Sequence, residues 1–154
     1  MLPDSDFSNQ DPTQRATFLE RLGVRLDDGG RLVLDVAAGH LRSLGIAHGG
    51  VIATLLDSVM GMVSARSAPP DHYLVTAQIN VHFLRPAREG ETLLASAEVR
   101  HAGRKTAVAH GEVRTSADHL IATASATFVY VPHTDPTRGR AEPTGPPPAT
   151  PPVP

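Results

Sequence analysis

Apolar residues recur along the chain in changing rhythms, and each change of rhythm marks an element. Between Gly23 and Ala37, Leu32, Leu34 and Val36 alternate beyond the turn sequence Asp28-Gly29-Gly30, so this stretch predicts a β-hairpin. From Gly49 to Ser67 the spacing switches to three and four, with Val51, Ile52, Leu55, Leu56, Val59, Met60, Met62 and Val63 covering most of a helix circumference. A helix that is apolar nearly all round is a buried one. After the Pro69-Pro70 break, period two returns in four runs, Tyr73 to Leu84, Thr92 to His101, Lys105 to Thr115 and Leu120 to Val131, all of which read as strands. Ahead of the hairpin, Asp11-Pro12 supplies an N-cap and a first helical position, opening a short helix through Phe18 and Leu19 toward Arg21.

Small residues mark one face of the last three strands: Ala95, Ala97 and Val99, then Ala107, Ala109, Gly111 and Val113, then Ala122, Ala124, Ala126 and Phe128. Small side chains let another element approach closely. The implied architecture is α+β, a long antiparallel sheet with short connections at Arg88-Glu89-Gly90, Gly103 and Ala117-Asp118, curled around one central helix. The sequence carries no internal repeat. Proline punctuates the ends: nine of the 14 prolines lie from Pro132 onward, and residues 133–154 hold almost no bulky apolar side chain. The expected organisation is a flexible N-terminus over residues 1–10, one folded domain over 11–132 and a proline-rich disordered tail over 133–154.

Composition narrows the function. A chain of 154 residues suits one domain, with enough buried surface to need no metal or disulfide staple. With no cysteine there is no thiol nucleophile, zinc ribbon or cysteine-held cluster, and the eight histidines show no paired-ligand spacing. No metal and no cofactor is expected. The formal net charge of −2 offers no field for a phosphate backbone, which argues against nucleic acid. The apolar helix carries an aspartate and falls short of a membrane span, and the N-terminus lacks an apolar leader. A cytoplasmic protein is expected, with no membrane partner.

Candidate chemistry centres on Asp57, which stands mid-helix, too far along to cap it, among Leu55, Leu56, Val59 and Met60. An ionised carboxylate withdrawn from water costs several kcal/mol, so Asp57 has either a strong structural partner or a functional task. Immediately before the helix comes His48-Gly49-Gly50. Two glycines there leave backbone N–H groups unshielded at the positive end of the helix dipole, able to hold a carbonyl oxygen that gains negative charge. Gly49 and Asp57 are eight residues apart, ~12 Å along one helix axis, whereas a donor and an attacking group must each lie ~3 Å from the same carbonyl. One helix cannot supply both. An antiparallel helix from a second copy could, so the arrangement predicts a two-fold dimer with two equivalent sites.

The stretch from about Gly23 to Val131 resembles the hotdog-fold acyl-CoA thioesterases, in particular their phenylacetate-degradation (PaaI-like) branch. The resemblance rests on Gly45, on His48-Gly49-Gly50 with Asp57 seven residues after the second glycine, on the strand Thr76 to Pro86 ending Phe83-Leu84-Arg85-Pro86, and on His101-Ala102-Gly103-Arg104. It implies hydrolysis of the thioester between an acyl group, aryl or medium-chain, and coenzyme A, in a homodimer or a dimer of dimers. Asp57 then matches the catalytic carboxylate, as general base or as nucleophile. Gly49 matches the N–H that polarises the thioester carbonyl, with Gly50 beside it, Thr76 a hydroxyl that orients the water or the carboxylate, and His48 a residue that fixes the loop. Six residues before His48 the family usually has Asn; here Arg42 stands there, unable to accept a hydrogen bond and always charged. A one-residue shift would bring His40 or Ser43 to that place. Arg85, Arg104 and Lys105, the only lysine, are candidates for the phosphates of coenzyme A.

Two other readings stay open. His48 with Asp57 also fits a hotdog hydratase or dehydratase, which would change a double bond rather than release a thiol. A module that binds acyl-CoA without turnover would instead show tight binding and no release.

Overall fold

The computed structural model describes residues 18–133. The Asp11-Pro12 helix start, the first ten residues and the tail from Thr134 lie outside them. The elements run α1 (Phe18–Arg21), β1 (Arg25–Leu26), β2 (Leu32–Asp35), a 3₁₀ turn (Ala38–His40), α2 (Gly49–Ala65), β3 (His72–Phe83), β4 (Thr92–Ala102), β5 (Thr106–Thr115) and β6 (Leu120–Pro132).

The strands form one six-stranded sheet in the order β1-β2-β4-β5-β6-β3, and every neighbouring pair is antiparallel. Short turns join β4 to β5 at Gly103 and β5 to β6 at Ala117-Asp118. The connection through Arg88-Glu89-Gly90 is different. It carries the chain from β3, on one edge, to β4 between β2 and β5. Alternation along a strand fixes which face a side chain takes but not which strand lies beside it; β3 pairs with the last strand, from His72↔Pro132 to Phe83↔Ala122.

Register explains why α2 lies so close to the sheet. Ala97 faces Gly111, Gly111 faces Ala124, and Ala124 faces Val81, a row of small side chains across four strands. A Cβ on Gly111 would stand 3.0 Å from Met60 Cγ and 3.3 Å from Leu56 Cδ2, so the helix side chains occupy the space a larger residue would need. Irregular register between Thr76 and Gln78 in β3, and between Val99 and His101 in β4, bends the sheet around the helix as bulges do.

Ile52, Leu55, Leu56, Val59, Met60 and Ser64 are the buried residues of α2; the five apolar ones form the core with Leu34, Leu93, Val113 and Phe128 among others. Burial is one-sided, however. Val51, Met62 and Val63 are half-buried and Gly50 and Ala65 exposed, because the sheet wraps only part of the helix circumference. The expected all-round burial of α2 is thus not met within a single chain. The face carrying Thr54, Asp57, Ser58 and Gly61 stays half-open.

Candidate active site

The loop ahead of α2 is built by backbone pairing. Leu41 bridges to Ala47 and Ile46 to Arg88, the Arg42 N–H donates to Ile46 O (2.9 Å), and the Gly45 N–H closes the turn on Arg42 O (3.1 Å). Gly45 sits at φ +70°, a left-handed conformation that glycine adopts without strain. The crossover segment then holds the loop from outside, Ala87 O accepting the Ala47 N–H at 2.8 Å.

His48 follows as the N-cap of α2, in extended backbone, and its Nδ1 accepts the Gly50 N–H at 2.9 Å. This requires an unprotonated Nδ1. Both glycine amides were expected to be open; only that of Gly49 is, with no hydrogen-bond partner among the described residues. Gly50 is spent on the cap, because the ring of His48 folds over it. The Gly49 N–H stands at the first position of α2, where intrahelical partners do not exist and the dipole is positive. Beside it lies the Phe83 ring, whose Cζ would be 3.3 Å from a Cβ on Gly49.

Two turns further along, Asp57 is half-buried rather than sunk among aliphatics, because it belongs to the face of α2 that the sheet leaves open. The Thr76 hydroxyl donates to Asp57 Oδ1 at 2.8 Å. Thr76 comes from β3, immediately before the bulge at Ala77, and that bulge re-aims the strand next to α2. Asp57 makes no ion pair among the described residues, and the Thr76 hydroxyl is its hydrogen-bond donor there. β3 is a sheet edge, and Tyr73, Val75, Phe83 and Leu84 are large apolar side chains exposed on or just beyond it.

The remaining candidates are dispersed. Arg42 is exposed in the loop turn, its side chain making no hydrogen bond or ion pair among the described residues. Arg85 Nη1 donates to Leu120 O at 3.0 Å, which ties the end of β3 to the start of β6. Arg104 and Lys105 are exposed at the β4–β5 turn. His40 is not available as a stand-in for the missing Asn, since Nδ1 accepts the Ala37 N–H at 3.0 Å and Nε2 lies 2.9 Å from Leu22 O. Its ring lines a cavity of about 460 Å³ with Phe18, Leu22, Leu41, His48 and Thr54. No spacing rule in the sequence singles out these contacts of His40. Among the described residues no three His, Asp or Glu side chains are grouped to hold a metal ion, and no helix is long and apolar enough to cross a membrane.

Residues 44–122 match the family model of the thioesterase superfamily, and the chain belongs to that superfamily and has its hotdog fold. Among its relatives, the medium/long-chain acyl-CoA thioesterase YigI of Escherichia coli is 35% identical over 97 residues, 54% of this chain and 62% of YigI. A coenzyme A-bound protein of Bacillus halodurans superposes with a TM-score of 0.71 at 28% identity, covering 77% of this chain and 79% of the other. The E. coli PaaI protein from the phenylacetic acid degradation operon superposes at 0.67 and 26% identity, over 73% and 83% of the two chains. The matched stretch spans 67%, 58% and 62% of the first three curated relatives' own lengths.

Proposed function

We propose that the protein hydrolyses the thioester of an aryl- or medium-chain acyl-CoA to the free acid and coenzyme A, in the manner of the PaaI-like branch. The observation that carries this reading is the hydrogen bond from Thr76 to the half-buried Asp57. A structural carboxylate on an open helix face is ordinarily satisfied by water or a cation; this one is held in a fixed orientation by a hydroxyl on a bulged strand. The naming of YigI and the coenzyme A bound to the B. halodurans protein support the same substrate class.

In the proposed reaction the thioester carbonyl oxygen is held by the Gly49 N–H of one subunit. Asp57 of its partner takes a proton from the attacking water, or attacks the carbonyl carbon itself to give a mixed anhydride that water then cleaves to the free acid and the regenerated carboxylate. The N–H stabilises the negative charge that grows on oxygen in the tetrahedral transition state, and collapse of that state expels the coenzyme A thiolate. Thr76 keeps the carboxylate aimed, and His48 holds the loop that presents Gly49. Arg104 and Lys105, exposed and free of ion pairs among the described residues, are proposed to meet the coenzyme A phosphates, whereas Arg85, engaged by Leu120 O, contributes less. Two antiparallel copies of α2 would satisfy the ~12 Å separation, and the open β3 edge and half-open face of α2 are the surfaces proposed to take a second copy. The protein is proposed to work as a homodimer, or as a dimer of such dimers, in the cytoplasm.

A thiol-detecting assay over acyl-CoAs of graded length and aromaticity tests the reading. Turnover that vanishes in Asp57→Ala is the expected result. Thiol release that persists in that variant, or a change of double-bond absorbance in place of thiol release, overturns it. Arg42→Asn in the same assay tells whether the arginine sets substrate choice: unchanged kcat/KM across the panel would make Arg42 a bystander.

A further inference from the structure

We infer that His40 is a positioning residue for hydrolysis, a three-way tie that aims the Gly49 N–H; the inference rests on the role proposed for Gly49. Three independent contacts converge on this one residue. Its carbonyl oxygen accepts the His48 N–H at 2.8 Å, one peptide unit before the peptide that carries the Gly49 N–H. Its Nδ1 accepts the Ala37 N–H at 3.0 Å, which closes the 3₁₀ turn over Ala38–His40. Its Nε2–H donates to Leu22 O at 2.9 Å, a carbonyl just past the end of α1. The ring thus has no free nitrogen, and its two bonds together fit the Nε2–H tautomer, with Nδ1 accepting and Nε2 donating.

The consequence is geometric. His48 is held from two sides: its ring accepts the Gly50 N–H from within α2, and its backbone N–H donates to the His40 carbonyl outside it. The first holds it relative to the helix. The second holds it relative to the rest of the domain, but only if the His40 carbonyl is itself immobile; the Leu41 N–H to Ala38 O bond (3.2 Å) anchors that peptide from the backbone, and the two ring bonds anchor it from the side chain. With both ring nitrogens anchored, one to the turn and one to the Leu22 backbone, the residue cannot rotate without breaking two hydrogen bonds. A donor at an oxyanion must be placed to a few tenths of an ångström, and a 1 Å error can cost as much as a hundredfold in rate. His40 supplies that placement without touching substrate. The same ring closes one wall of the cavity between α1 and the start of α2, so loosening it also loosens α1.

The test uses the full chain and three substitutions. His40→Ala removes both side-chain bonds. His40→Asn puts an oxygen where Nδ1 stood and restores the bond from Ala37 alone; His40→Gln reaches as far as Nε2 and restores the bond to Leu22 alone. Expected are a loss of about tenfold in kcat for the alanine variant with KM changed less than about twofold, below the hundredfold or more that removal of an oxyanion donor itself costs. Partial recovery of kcat is expected in the asparagine and glutamine variants, and faster amide exchange at His48 in the alanine variant. A kcat within twofold of wild type in His40→Ala, a loss lying wholly in KM, or failure of both Asn and Gln to improve on Ala overturns the proposal. Should the alanine variant not fold, the Asn and Gln variants carry the comparison alone, and wild-type kcat in both overturns it. Asp57→Asn is run beside them. If it hydrolyses at the wild-type rate the active-site reading fails; if it is inactive while the His40 variants keep full kcat, only the positioning role fails.

Discussion

Asp57 and Thr76 form a pair whose members differ in what their removal costs. Asp57→Asn keeps the shape and an acceptor for the Thr76 hydroxyl but cannot act as base or nucleophile, so kcat should fall by about a hundredfold or more. Thr76→Val deletes only the hydrogen bond at 2.8 Å; a hydrogen bond to a charged group is worth about 1.5–3 kcal/mol, hence a fall of roughly ten- to hundredfold in kcat. Steady-state kinetics on one acyl-CoA checks both, and equal losses would mean that Thr76 does more than orient. At this scale the sequence was most legible where a residue broke its surroundings. A carboxylate in an aliphatic run and a glycine pair before a helix are both conspicuous. Thr76 was not, since threonine is an ordinary strand residue, and only the packing of β3 against α2 reveals its partner. The division of labour between Gly49 and Gly50 was equally hidden, because it depends on the side chain of His48 turning back on its own helix.

The elements owe their positions to the small-residue faces of the strands. Gly111 is the sharpest instance: a methyl group there meets Met60 Cγ at 3.0 Å and Leu56 Cδ2 at 3.3 Å, and overpacking of this kind costs about 1–3 kcal/mol. Gly111→Ala should therefore lower the urea midpoint with m unchanged; an equally stable variant would show that α2 has room to shift. The hairpin at the far edge carries an acid-sensitive tie. The Arg25 guanidinium, with help from the Thr92 hydroxyl, holds the Asp35 carboxyl below its ordinary 3.8. Its contribution is present above that value and lost as pH falls through the lower folded-state value, so acid should loosen β1 before the core. Asp35→Asn should abolish this pH dependence of amide exchange in β1 and β2. All four long strands, the hairpin and α2 could be read from rhythm within a few residues. The neighbour order could not: nothing local distinguishes a turn at Arg88-Glu89-Gly90 from a crossover, and the pairing of β3 with β6 is a long-range choice.

At the scale of the whole molecule, the curled sheet leaves its β3 edge and one face of α2 uncovered, and both belong to the candidate site. A sheet curled around one helix was legible from rhythm because a largely apolar helix among antiparallel strands has few ways to bury itself, and the hotdog family came from the resemblance carried by His48-Gly49-Gly50 and Asp57. The half-open state of α2 was not, since apolar periodicity does not say whether a side is covered by the same chain or another. The central claim is that each site takes Asp57 from one subunit and the Gly49 N–H from its partner, and hybrid dimers test it most directly. Gly49→Pro deletes the amide at the first helical position, where proline is well tolerated, and Asp57→Ala deletes the carboxylate. Each variant alone should be inactive. Unfolded together and refolded, their hybrids hold one intact and one doubly damaged site, so random pairing should restore about a quarter of wild-type activity per dimer. Hybrids that form, shown by differential tagging, yet remain inactive would contradict the account.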